Sequence, residues 1–254
     1  MTTTTPTTSG PPPDAGPAGR FTAFARPSIV QNHSVIKGLL LDFYGTVVED
    51  DDATMLAIAA RVAAGAGGGA TAAEVMAAWE REYAAVAEGP IFRTLRESAA
   101  LSLATVMSAA GCPGDPAEFG AAQFGGPVPA LRPGTREFLD RVTLPICVVS
   151  DADHEDLAGA IAHHGLTFDA VVCSSQVGAY KPAPIMFERG LAALRLAAHE
   201  ALHVGDSLRT DVAGAQAAGI RTAWINRRGR PVEAGAAATH VVADLSELLA
   251  HLPD

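Results

Sequence analysis

Apolar and polar positions divide the chain into two kinds of segment. Val35 to Asp42 is a short, nearly continuous apolar run ending in an acid. Strands buried on both faces of a parallel sheet read this way. Comparable runs return at Ile146–Ser150, Ala170–Ser174, Leu202–Gly205 and Thr222–Ile225. Helical spacing lies between them, at Pro133–Val142, Glu155–His164, Pro184–Leu196 and Asp211–Ala218. This alternation predicts βαβ units and a parallel sheet with helices on both faces. Residues 52 to 126 differ. They hold Ala-rich helical segments, Thr54–Ala64, Thr71–Ala87, Ile91–Ala110 and Pro116–Phe124, separated by Gly and Gly/Pro breaks. A small helical bundle inserted after the first strand is the expectation.

The first 33 residues are rich in Thr, Pro and Gly and offer little to bury, so a disordered leader is expected. They lack the basic and apolar regions of a signal peptide. With no apolar stretch near the length of a membrane span, a cytoplasmic protein fits. A net charge of −10 argues against nucleic-acid backbones and polybasic membrane anchoring. The three cysteines have no metal-ligand spacing; Cys147 and Cys173 read as buried small hydrophobes and a disulfide framework is not expected. Arginine outnumbers lysine 16 to two, which leaves little lysine chemistry beyond Lys37 and Lys181.

Ligands of a parallel α/β sheet bind at the carboxyl ends of its strands. Asp42, Ser150, Ser174 and Asp206 each end a strand-like run. Taken singly, each has a plain alternative. Asp42 in Asp42-Phe43-Tyr44-Gly45-Thr46 is a potential carboxylate nucleophile or an acid capping a turn. Ser150, followed by Asp151, suits an anion or an N-cap. Lys181, in a Gly/Pro-defined loop, suits crowded carboxylates or solvent. Asp206 and Asp211, five residues apart across a strand-to-helix turn, suit Mg²⁺, although Asp211 also suits a helix N-terminus.

In this order the motifs resemble those of the haloacid dehalogenase (HAD) superfamily, over residues 35 to about 246. The insert resembles the C1 cap of its first subclass. The resemblance implies a Rossmann-like three-layer α/β core (residues 34–50 and 127–254) carrying a helical cap (51–126). It implies a nucleophile at Asp42, with Thr46, Ser150, Asp151 and Lys181 on the transferring group. It also implies Mg²⁺ held by Asp42, the main-chain carbonyl of Tyr44 and Asp206, with Asp211 in support.

Two positions point in different directions. Phosphatases of this family usually carry Asp two residues after the nucleophile; here it is Tyr44, as in the 2-haloacid dehalogenases. Gly205-Asp206 with Asp211 is the metal-binding form that dehalogenases lack. No lysine lies between Lys37 and Lys181, so a phosphonoacetaldehyde hydrolase is excluded. The favoured reading is Mg²⁺-dependent hydrolysis of a small phosphorylated metabolite, with Tyr44 able to donate a proton. The alternatives are C–halogen hydrolysis and a HAD-fold binding protein with poor turnover. Arg93 and Arg96 are the cap candidates for substrate contact. Trp79 and Tyr83 read as core packing, His163 and His164 as favouring a helix C-terminus, and His154, although near enough to the second motif to reach the site, as a residue without a role there. Arg227, Arg228 and Arg230 read as a solvated loop. A monomer or homodimer is expected.

Overall fold

The computed structural model describes residues 1–2, 35–67, 69–231 and 238–253. Apart from its first two residues, the expected leader lies outside them. Six parallel strands form one sheet: β1 (Gly38–Leu41), β2 (Ile146–Ser150), β3 (Ala170–Cys173), β4 (Ala201–Gly205), β5 (Arg221–Ile225) and β6 (His240–Val242), in the order β3-β2-β1-β4-β5-β6. Order reverses beside β1, whose Leu41 pairs with Val148 of β2 and Val204 of β4. The crevice outside the carboxyl ends of β1 and β4 is therefore the topological switch point, where such sheets bind ligands.

The continuous apolar runs follow from burial on both faces. Leu39 and Leu41 join one apolar cluster with Phe43, Phe138 and Val148; Leu40 faces the other with Cys147, Val149 and Phe187. All three cysteines are buried and unpaired. Between β1 and β2 lie α1 (Asp52–Gly65), α2 (Ala72–Ala87), α3 (Leu95–Ala110) and α4 (Pro116–Gly125). They share a separate cluster around Ile58, Val62, Trp79 and Leu103. Trp79 is fully buried and donates to Ser102 Oγ at 2.9 Å, as core packing predicts. Thr71 and Thr94 start α2 and α3 with capping boxes.

The two crossings into and out of this insert run side by side. Glu49 N–H donates to Ala130 at 2.8 Å, Arg132 N–H to Val47 at 3.0 Å, and Arg132 clamps Glu49 and Asp50 at 2.9 and 3.1 Å. The other α-helices of the described residues are α5 (Thr135–Arg141), α6 (His154–His163), α7 (Ser174–Val177), α8 (Pro184–Leu194), α9 (Ala213–Ala217) and α10 (Leu245–Leu248).

Three details depart from expectation. The first strand begins only at Gly38. Ser174 opens α7, where its hydroxyl donates to the carbonyl of Ala152 and accepts its N–H, a structural rather than strand-end role. The turn after β4 winds as π-helix over Leu208–Val212 before α9, a form frequent at functional sites. Among the described residues no helix is long and apolar enough to cross a membrane.

Candidate active site

Asp42 follows β1 directly, its N–H bonded to Val204 of β4 at 2.9 Å, so the switch point fixes its backbone. Its carboxylate is divided between two partners: Oδ1 accepts from Lys181 Nζ at 2.6 Å and Oδ2 from the Thr46 hydroxyl at 3.0 Å. Lys181 also donates to Asp211 Oδ1 at 2.7 Å. All three side chains are almost wholly buried. Burial opposes charge on Lys181, but Asp211 and Asp42 outweigh it and hold the ammonium above its ordinary range. Burial also opposes charge on Asp211, where Lys181 and His203 prevail and keep its carboxyl below the usual range. Asp42 carries the remaining load. Burial above all, then Asp211, push it up to about 7 against the pull of Lys181.

Asp211 accepts from three donors. Besides Lys181, its oxygens accept from buried His203 at 3.0 Å and from the N–H of Ser207 at 3.0 Å. Burial lowers the affinity of His203 for a second proton, so a neutral imidazole donates to the carboxylate. The close approach explains Gly205: a Cβ there would lie 2.3 Å from Asp211 Cγ. Carboxylate oxygens of Asp42, Asp206 and Asp211 all lie within 4.8 Å of one another.

The Ser150 hydroxyl, at the end of β2, is buried without a hydrogen-bond partner. It caps no helix. Asp151 accepts the N–H of Lys181 at 2.9 Å, and burial raises its carboxyl to about 6. Tyr44, Asp151 and Lys181 line a cavity of about 910 Å³ that continues to Met55, Tyr83 and Phe124 of the insert. His163 also lines it.

The structure does not bring Arg93 and Arg96 to this cavity. Arg96 pairs with Asp156 at 3.0 Å and lies over the Phe124 ring, 4.5 Å from its centre; Arg93 contacts its own segment at Ile91. His154 is exposed at the start of α6. His164 contacts Pro129 at 2.7 Å. Asp153, unused by its own helix, accepts the N–H groups of Leu95 and Arg96 at 2.9 and 3.1 Å, capping α3 across the cleft. Tyr180 OH to the carbonyl of Arg93 and Arg209 to Glu88 complete this latch.

Arg228 and Arg230 are exposed, as expected of a solvated loop, whereas Arg227 is half-buried against the site. Arg227 donates to the carbonyl of Gly45 and lies 3.4 Å from Asp206; Arg230 donates to the carbonyl of Asp206 at 2.9 Å. His203 was missed as well. His203 meets Asp211 through the turn that follows β4, whereas Arg227 and Arg230 reach Asp206 because β5 lies beside β4.

Residues 36–219 match the family model described as haloacid dehalogenase-like hydrolase. The chain belongs to this hydrolase family. Among curated relatives, the phosphoserine phosphatase of Thermus thermophilus is 42% identical over 101 residues, 39% of each chain, so this chain spans about two fifths of that relative. Among solved structures, the HAD-hydrolase YfnB from Bacillus subtilis, bound to magnesium, aligns with TM-score 0.70 at 21% identity, over 87% of this chain and 100% of that one. The L-2-haloacid dehalogenase RSc1362 aligns with TM-score 0.71 at 21% identity, over 86% of this chain and 99% of that one. These neighbours share the Rossmann-like fold.

Proposed function

We propose that this chain hydrolyses a small phosphate monoester, with Mg²⁺, through an aspartyl-phosphate on Asp42. The observation that carries this reading is the convergence of Asp42, Asp206 and Asp211 within 4.8 Å around buried Lys181. The donors suit Mg²⁺, which takes hard oxygen ligands. The charges suit it too. Lys181 pairs with Asp42 and Asp211 and Arg227 with Asp206, so two cations face three carboxylates, and burial, then Asp211, push Asp42 up to about 7 against the pull of Lys181. Asp42, Asp206 and the carbonyl of Tyr44 would hold the ion, with Asp211 supporting them. When bound, it supplies the positive charge that lets a dianionic phosphate approach a carboxylate.

An Asp42 oxygen attacks phosphorus, and the bond from phosphorus to the ester oxygen breaks as the new bond forms. Thr46 and Lys181 orient the nucleophile through its two oxygens. The unpartnered Ser150 hydroxyl is a ready donor to a phosphoryl oxygen. Water then attacks phosphorus, which releases phosphate and frees Asp42. The helical insert acts as the cap, and its latch to Asp153, Asp156, Tyr180 and Arg209 excludes bulk water. Arg96 takes part through Asp156 rather than through substrate.

Tyr44 makes protonation of the leaving oxygen the weak point. Burial, then the charges of Asp156 and Asp51, push its hydroxyl up to about 12. Leaving groups that depart without protonation, such as anomeric or acyl oxygens, are therefore favoured. The same residue favours C–halogen hydrolysis as the second reading, because halide needs no proton. Asp42→Asn tests both enzyme readings: turnover should vanish while the fold persists, and an active variant refutes a covalent role for Asp42.

A further inference from the structure

Lys181 places its two ion pairs on Asp42 and Asp211, whereas the ion pair of Asp206 comes from Arg227. The arginine sits in the loop after β5 and joins two parts of the site. One nitrogen donates to the carbonyl of Gly45 in the turn after the nucleophile; the other lies 3.4 Å from Asp206 Oδ2. The junction is tightly built. Gly45 has φ of +83°, and a Cβ on it would lie 3.0 Å from Asp206 Oδ2. The main-chain carbonyl of Asp206 accepts from Trp224 Nε1 and Arg230 Nη2, both at 2.9 Å, and Arg230 lies over the Trp224 ring. A cavity of about 320 Å³ borders Asp206, Gly45, Arg227 and Arg230 on this side.

We propose that Arg227 is a positioning residue for the metal centre. It is the counter-charge that holds Asp206 while no metal is bound, and it sets how tightly the centre takes Mg²⁺. The inference rests on the Mg²⁺ reading above. A cation fixed beside a ligand carboxylate does two things. It orders the carboxylate, and it opposes the arrival of a second cation at the same oxygens. The side chains of Arg227 and Asp206 are 23% and 29% exposed, so solvent screens this opposition only in part. The ordering is shared with Trp224, Arg230 and the Gly45 turn, which remain when Arg227 is replaced. Of the cations that act on the Asp206 carboxylate, Arg227 comes first, ahead of Lys181 and Arg132, and it is the one paired with it. Removing its charge should therefore tighten Mg²⁺ binding rather than weaken it.

The test is calorimetric titration of the metal-free full chain with MgCl₂, independent of turnover. Arg227→Gln keeps an N–H donor for Gly45 and removes the charge; Arg227→Met removes both; Arg227→Lys keeps the charge. Both neutral variants are expected to bind Mg²⁺ roughly tenfold tighter than the wild type, as loss of a partly screened neighbouring charge implies. The lysine variant should stay within about threefold of it, since its charge is retained. Unchanged or weaker binding in both neutral variants overturns the proposal, as does equal tightening in Arg227→Lys. Two neutral variants guard against one failing to fold, which circular dichroism reports. If the wild type takes up no Mg²⁺ at millimolar concentration, the metal reading fails and this inference fails with it. If the wild type binds and the variants match it, only the role of Arg227 fails.

Discussion

Replacing Lys181 with Met removes the one buried cation of the site among the described residues and leaves two buried carboxylates facing each other. Lys181 Nζ lies 2.6 Å from Asp42 and 2.7 Å from Asp211, with side-chain exposures of 3%, 7% and 2% in that order. Solvent cannot replace the lost charge at such depth. Breaking a buried pair on one side costs about 3–5 kcal/mol, because the remaining charge is uncompensated. Asp211 keeps His203 and the Ser207 N–H, which limits the loss on its side. For a folded unit of this size each kcal/mol moves the melting temperature by about 2–4 °C, so the expected drop is roughly 6–20 °C. The other lysine supplies the control. Lys37 pairs with Glu200 at 2.6 Å, but its side chain is 60% exposed, and Lys37→Met should cost less than about 1 kcal/mol. Calorimetric melting in EDTA at pH 7 separates the two. A Lys181→Met protein that melts within a degree or two of Lys37→Met would refute the claim that Lys181 holds the carboxylates together.

Ser150→Ala should leave stability nearly unchanged, since the hydroxyl has no partner to lose, while kcat/KM falls about 10²-fold if it donates to a phosphoryl oxygen. Thermal denaturation and phosphate release check the two halves; a large stability loss with intact turnover would assign Ser150 to structure instead. Gly205→Ala should displace Asp211, destabilise by about 1–3 kcal/mol and abolish turnover, because the added Cβ would lie 2.3 Å from Asp211 Cγ. Arg96→Ala should raise KM by less than about threefold, as expected for an exposed pair to Asp156. Steady-state kinetics would show a larger rise if Arg96 read the substrate directly.

Much of the sheet was visible in the chain because strands buried on both faces must be apolar throughout. Leu39-Leu40-Leu41 and Ile146–Ser150 are read directly for that reason. The helical insert was visible because Gly and Pro end each of its segments. Asp42, Ser150 and Asp206 stood out as polar groups at strand ends, where burial makes them costly without partners, Lys181 as a lysine in a Gly/Pro-defined loop and Asp211 as an acid across a strand-to-helix turn. The partners themselves depend on which strands adjoin. His203 sits within an apolar strand and shows its role only when the following π-helix folds Asp211 back onto it. Arg227 and Arg230 look like an ordinary basic loop until β5 is placed beside β4. Asp153 has the position of an N-cap for α6, yet it caps α3 across the cleft, a contact that no local pattern encodes. His240–Val242 is too short to register as a strand from pattern alone.

The most direct measurement is release of phosphate and chloride by the purified protein, with Mg²⁺ and then with EDTA. The substrates are sugar, nucleotide, acyl and organic-acid phosphates together with 2-chloropropionate. Phosphate release that requires Mg²⁺ and disappears in Asp206→Asn is the expected result, and the acidic trio then outweighs Tyr44 as a guide to the chemistry. Chloride release that persists in EDTA, without phosphate release, would contradict it and make Tyr44 the residue that defines the reaction.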